Sequence, residues 1–182
     1  MPNDSLNPAQ LPDRMNTRDL SATLATLFRE LVYGAPHAGA YMLNRGDAGL
    51  LASLDALSAA AASATNTGGA SIAAHVDHLR YGLTLMNRWS EGENPFDAAD
   101  WRASWRRTRV NDAEWRQLRA DLGDEAHRWL QALREPRDVD ETELNGVVGS
   151  IAHLAYHLGA IRQIDRTTRG PSANEERTVE GR

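Results

Sequence analysis

The sequence predicts an all-α fold, an antiparallel four-helix bundle with an extra short helix. Three observations point there. Four long stretches repeat apolar residues at helical spacing, each bounded by Pro, Gly or polar residues. Ala, Leu, Arg, Glu and Asp dominate while β-branched and aromatic residues are sparse, which favours helix over strand. A chain of 182 residues supplies one sizeable core, and nothing in it suggests a second domain.

Residues 1–16, with Pro2, Pro8 and Pro12, read as a flexible N-terminal arm. The bundle domain follows over 17–168, and 169–182 reads as a disordered tail. The first helix starts near Thr17 or Asp19, carries Leu20, Leu24, Leu27, Leu31 and Val32 on one stripe, and stops at Gly34-Ala35-Pro36. After a loop holding His37, a shorter helix over 48–64 turns Leu50, Leu51, Leu54 and Leu57 inward and ends at TNTGG. The next helix, Ser71 to Trp89, has its core stripe at Ile72, Val76, Leu79, Leu83 and Met86. His78, Gly82 and Leu85 flank that stripe, and His75 lies between the two. Ser90 to Asn111 reads as a long connection with short helical turns that covers one end of the site. A long helix from a capping Asp112 to Leu133 then faces Trp115, Leu118, Leu122, Trp129 and Leu133 inward. His127 sits on its surface.

The last helix, from about Glu141 to Thr167 or Arg169, organises the chain. Val147, Ile151, Leu154, Leu158 and Ile161 form its core stripe. Beside that stripe run Gly146, Gly149, Ser150, His153, His157, Ala160 and Ile164. Four-residue spacing puts His153 and His157 one turn apart on one face, able to converge on one ion, and their small neighbours leave room for a cavity. The spacing alone is unspecific. A third histidine on a facing helix, His78, completes a set that leaves coordination positions open, as catalytic zinc sites do.

Composition excludes several classes. The net charge of −5 opposes nucleic-acid binding, which needs a concentrated basic surface. The one basic run, Arg102 to Arg109 with Trp105 inside it and Trp101 before it, reads as a solvated face. There is no lysine, so all 20 basic residues are arginine. Cysteine is absent, so any thiol must be borrowed. No apolar run is long enough for a membrane span and the N-terminus lacks a leader-like apolar core, so the expectation is a soluble cytoplasmic protein.

Two motifs carry a resemblance. SIAAHVDHL, Ser71 to Leu79, and IAHLAYHLGAIRQ, Ile151 to Gln163, resemble the second-helix and last-helix HxxxH segments of the DinB/YfiT-like superfamily of four-helix-bundle metal-binding proteins. The spacing from Ile72 selects His78 over His75, so the resemblance implies the ligand set His78, His153 and His157. It also implies zinc or nickel as the ion, a homodimer, and a small-molecule substrate, and composition sets aside nucleic acid and membrane as partners. Many members carry Gly-Gln soon after the last histidine; here Leu158-Gly159-Ala160 follows and Gln163 comes later.

Three functions are compatible with this reading. The first is a transferase in which the ion activates a low-molecular-weight thiol cosubstrate, with Tyr156 or His75 orienting substrate or moving a proton and Arg80 or Arg162 meeting a carboxylate. The second is a metal-dependent hydrolase, for which the residues between the histidines, Leu154, Ala155 and Tyr156, offer no glutamate base. The third is a non-catalytic ligand-binding or stress-related bundle.

Overall fold

The computed structural model describes residues 17–65 and 68–172. The expected arm, 1–16, lies outside these residues, as does the expected tail 169–182 apart from 169–172. All regular structure among the described residues is helical: α1 Thr17–Tyr33, α2 Gly49–Asp55, α3 Ala59–Ser63, α4 Ile72–Ser90, α5 Asp112–Arg134 and α6 Glu141–Ile164. Short 3-10 turns lie at Ala103–Trp105 and Arg166–Thr168. No described helix is long and apolar enough to cross a membrane.

The four long helices close a ring in which α1 packs on α5, α5 on α4, α4 on α6 and α6 on α1. Each helix turns its apolar stripe to the centre, where Phe28, Leu31, Leu79, Leu118, Leu122, Trp129, Leu154 and Ile161 are almost wholly buried. Each such side chain contributes about 1.5–3 kcal/mol by leaving water. Trp129 reaches across the core to α6, its Nε1 donating to Ser150 Oγ at 3.0 Å, so the largest buried side chain leaves no polar atom unsatisfied.

Local chemistry sets the helix ends. Ser71 accepts from Ala74 N at the start of α4. Reciprocal capping boxes, Asn111 with Glu114 and Asp140 with Glu143, open α5 and α6. Asn111, not Asp112, is therefore the cap of α5. The expected single helix over 48–64 is instead two, α2 and α3. The first of these ends at Asp55, Ser58 caps the new one by accepting from Ala61 N, and the Leu57 carbonyl accepts the buried Trp115 indole N–H at 2.8 Å. α6 stops at Ile164, short of the expected end, because Asp165 turns extended and accepts from Thr167 N.

Buried carboxylates tie down the loop between α1 and α2. Glu30 accepts backbone N–H groups from Tyr41, Met42 and Leu43. Asp47, 4% exposed, accepts from Gly49 N and pairs with Arg162 of α6 at 2.7 Å. Gly34 and Gly49, with φ of +102° and +78°, bring two backbones into direct contact where a side chain on either would collide. The first residues past the 3-10 turn fold back here, with Asn44 Nδ2 donating to the Pro171 carbonyl.

Asp47→Ala leaves the Arg162 guanidinium buried without its counter-charge, so we expect it to destabilise the fold by about 3 kcal/mol in urea titration. A loss below about 1 kcal/mol, the value of an exposed pair, would show that this ion pair is not structural.

Candidate metal centre

Because α4 and α6 are neighbours in the ring, the flank of one faces the flank of the other. One turn of α6 separates His153 from His157, and α4 brings His78 to both. His78 Nε2 lies 3.1 Å from His153 Nε2, and His157 Nε2 lies 2.8 Å from His153 Nε2. One ligand atom from each of the three falls within 4.8 Å of the others, so the group can hold a metal ion. Four-coordinate zinc at about 2.0–2.1 Å from each nitrogen needs the nitrogens about 3.3 Å apart. For these two pairs the imidazoles need to retreat by only a few tenths of an ångström, and an all-nitrogen donor set suits zinc, nickel or copper.

The outer edges of the rings are also engaged. His78 Nδ1 lies 2.7 Å from Ser104 Oγ, whose own proton goes to the Trp101 carbonyl at 2.8 Å. The hydroxyl has one proton to give, so towards His78 it accepts. That puts the His78 proton on Nδ1 and leaves Nε2 as a bare lone pair. His75 meets His157 through Nδ1 on both rings, at 2.8 Å. With His157 Nε2 turned to a cation, its Nδ1–H donates to His75. His75 thus contacts the far edge of His157 and stands outside the three-nitrogen group, where it can fix the ring as outer partners of ligating histidines do.

The connection between α4 and α5 crosses this centre, as expected of it, but its tryptophans do more than line a solvated face. The Trp105 ring stacks on His78 at 4.2 Å and meets His75 edge-on at 5.2 Å, while Trp101 lies 5.6 Å from His78. The arginines between and after them point to solvent, except that Arg107 reaches Asp77 of α4 at 3.5 Å. Ser71 Oγ donates to the Thr108 carbonyl, and Tyr81 Oη accepts from Asp100 N. Ser104 is the residue that sequence reasoning missed. Its only signal is its place within the Trp101–Trp105 spacing, which puts both indoles on one side of a turn.

Burial dominates the electrostatics. It lowers His78 to about 4, helped by His153 and His75 and opposed by Asp77. It lowers His157 to about 3, helped by His153, His75 and His78. His75 and His153 are lowered by burial as well. All four rings are neutral at pH 7, the form in which imidazole binds metal.

The small-residue flank opens a cleft of about 330 Å³ against His78 and His153, bordered by Gly82, Gly146, Gly149 and Trp101. Tyr156 is 69% exposed and stands edge-on to His157 at 5.0 Å. Arg80 is paired with Asp77 and Arg162 with Asp47, so both guanidinium groups already have carboxylate partners within the fold. Gln163 accepts from Arg169, and His37 and His127 are exposed and outside the cluster. No protein-family model, curated protein or solved structure matches the chain.

Unfolded histidines titrate near 6.5, above the folded values of about 4 and 3 for His78 and His157. Between those limits the unfolded chain binds more protons, so stability falls as the pH drops below 6.5, by up to about 1.4 kcal/mol per pH unit for each histidine that stays neutral. Metal-free protein should therefore melt at lower temperature at pH 5 than at pH 7.5, and His157→Gln should flatten the dependence. An unchanged slope in that variant would mean that other groups cause it.

Proposed function

We propose that the chain is an antiparallel bundle of the DinB/YfiT type that holds one divalent ion, zinc or nickel, on His78, His153 and His157. Its reaction is the transfer of a low-molecular-weight thiol to a small electrophilic substrate. The observation that carries this reading is the convergence of three neutral imidazoles, His78 and His157 buried and His153 half-buried, with His78 and His153 at the wall of an open cleft. A bound ion supplies the Lewis acidity that lowers the pKa of a ligated thiol and presents it as thiolate. Three neutral ligands leave the ion's charge uncancelled, which strengthens that effect. Ser104 and His75 hold the rings of His78 and His157 in register, and Trp105 excludes water from the side opposite the cleft. Tyr156 and His75, both in contact with His157 rather than with the cleft, are the candidates for orienting substrate or moving a proton.

One observation favours transfer over hydrolysis, and the absence of cysteine is compatible with it, since the thiol enters as a cosubstrate. Among the described residues no carboxylate lines the cleft beside His78 and His153 to serve as base for a water nucleophile.

Elemental analysis of protein purified without a histidine tag should find about one zinc or nickel per chain, lost in His153→Ala. Wild-type protein that takes up neither metal, even when both are added back, would end this reading. Ser104→Ala removes the acceptor that fixes His78 and should weaken metal binding by about 10–100-fold in a chelator competition. Unchanged affinity would show that Trp105 stacking alone positions the ring.

A further inference from the structure

The cleft that starts at the histidines continues past them. Beyond His153 its walls are Leu83, Met86, Phe96 and Trp101, and its floor is Gly146 and Gly149 of α6. A second pocket of about 440 Å³ shares Met86, Phe96 and Gly146 with the first, so the two form one channel along α4 and α6. A methyl group on Gly82 would stand 3.7 Å from both His153 Cε1 and Trp101 Cζ3, filling the gap between imidazole and indole. Side chains on Gly146 or Gly149 would meet nothing within 4 Å, which is to say that the space above them is open. The glycines keep a channel clear that begins at His78, a side chain more than nine-tenths buried, with its bare Nε2 at the channel's inner end.

The charges along this channel are one-sided. No arginine lines either pocket among the described residues, and the charged groups that do are the carboxylates of Glu93 and Glu143 at the far end. Glu93 is paired with Arg88, and Glu143 accepts from Asp140 N, so neither calls for a cation and neither offers an anion a partner. An anionic tail lying here would give up water and find no partner.

We propose that the molecule that occupies this channel has a single metal-ligating head at the histidines and an uncharged, predominantly apolar body extending over Gly146 and Gly149. Thiols or electrophiles whose distal end is a carboxylate or phosphate are excluded. This rests on the metal reading for the head group; the body's binding surface does not depend on it.

The test uses two thiols of equal length, mercaptohexanol and mercaptohexanoate, titrated into the cobalt(II)-loaded protein and followed by the cobalt absorption spectrum. Mercaptohexanol should bind at least about tenfold more tightly, and Gly149→Leu, which places a side chain in the channel at a helical position that tolerates one, should weaken it about tenfold while cobalt affinity is unchanged. Equal or tighter binding of mercaptohexanoate, or no effect of Gly149→Leu, overturns the proposal and leaves the metal site standing. If the chain takes up no cobalt, the metal reading falls and the channel is decided on metal-free protein with hexanol, which has no thiol head, by saturation-transfer NMR. A signal present in wild type and lost in Gly149→Leu supports the channel, and a signal absent from both or retained in the variant overturns it.

Discussion

The centre of this protein is a set of uncharged imidazoles buried between two helices. Neutral rings are what burial enforces, because a charged histidine in that position would lose its hydration without gaining a counter-ion. The inner nitrogens lie 3.1 and 2.8 Å apart, so in the neutral rings a His153 Nε2–H can donate to only one neighbour at a time. The site is thus set up by desolvation, with binding strength drawn from the same burial that lowers His78 and His157. Such a centre needs rigid walls. The ring closed by α1, α5, α4 and α6 provides them, since α4 and α6 are each braced from behind by another long helix.

Two kinds of polar contact keep that arrangement from loosening. Near the histidines, Asp77 binds Arg80 on its own helix and Arg107 on the crossing connection, so one buried carboxylate links α4 to the segment bearing Ser104 and Trp105. Away from them, Asp47 and Glu30 hold the loop after α1 and pin it to the C-terminal end of α6 through Arg162. These carboxylates look functional when met in a sequence, yet their lone pairs are spent on backbone amides and arginines. The reverse holds for the histidines, whose inner nitrogens find only one another.

Much of this was legible because it repeats locally. The helical stripes placed Leu118, Leu122 and Trp129 inward correctly, and the four-residue spacing of His153 and His157 survives any error in helix ends. The third histidine was legible through its position on the flank of α4, which the core stripe from Ile72 to Met86 defines. What escaped depends on contacts between distant residues. The break between α2 and α3 frees the Leu57 carbonyl for Trp115, 58 positions later, and no local pattern in an alanine-rich stretch announces that. Ser104 is hidden for the same reason, since its role exists only where the connection crosses α4 and its hydroxyl proton is taken by Trp101. The basic run around it drew attention to charge, while the structure uses its aromatic and hydroxyl groups.

Glycine in α6 shows how composition becomes function. Gly146 and Gly149 lie inside a helix, where each costs about 1 kcal/mol relative to alanine. Neither has a positive φ, and an added side chain at either meets no atom within 4 Å, so neither backbone strain nor packing requires them. Both border the cleft beside His153, and the proposed channel towards Phe96 uses the space they leave. On the proposed reading, a helix that gives up stability at two positions beside buried, neutral histidines does so for what enters the cleft, whose walls are apolar because the charge would sit at the inner end.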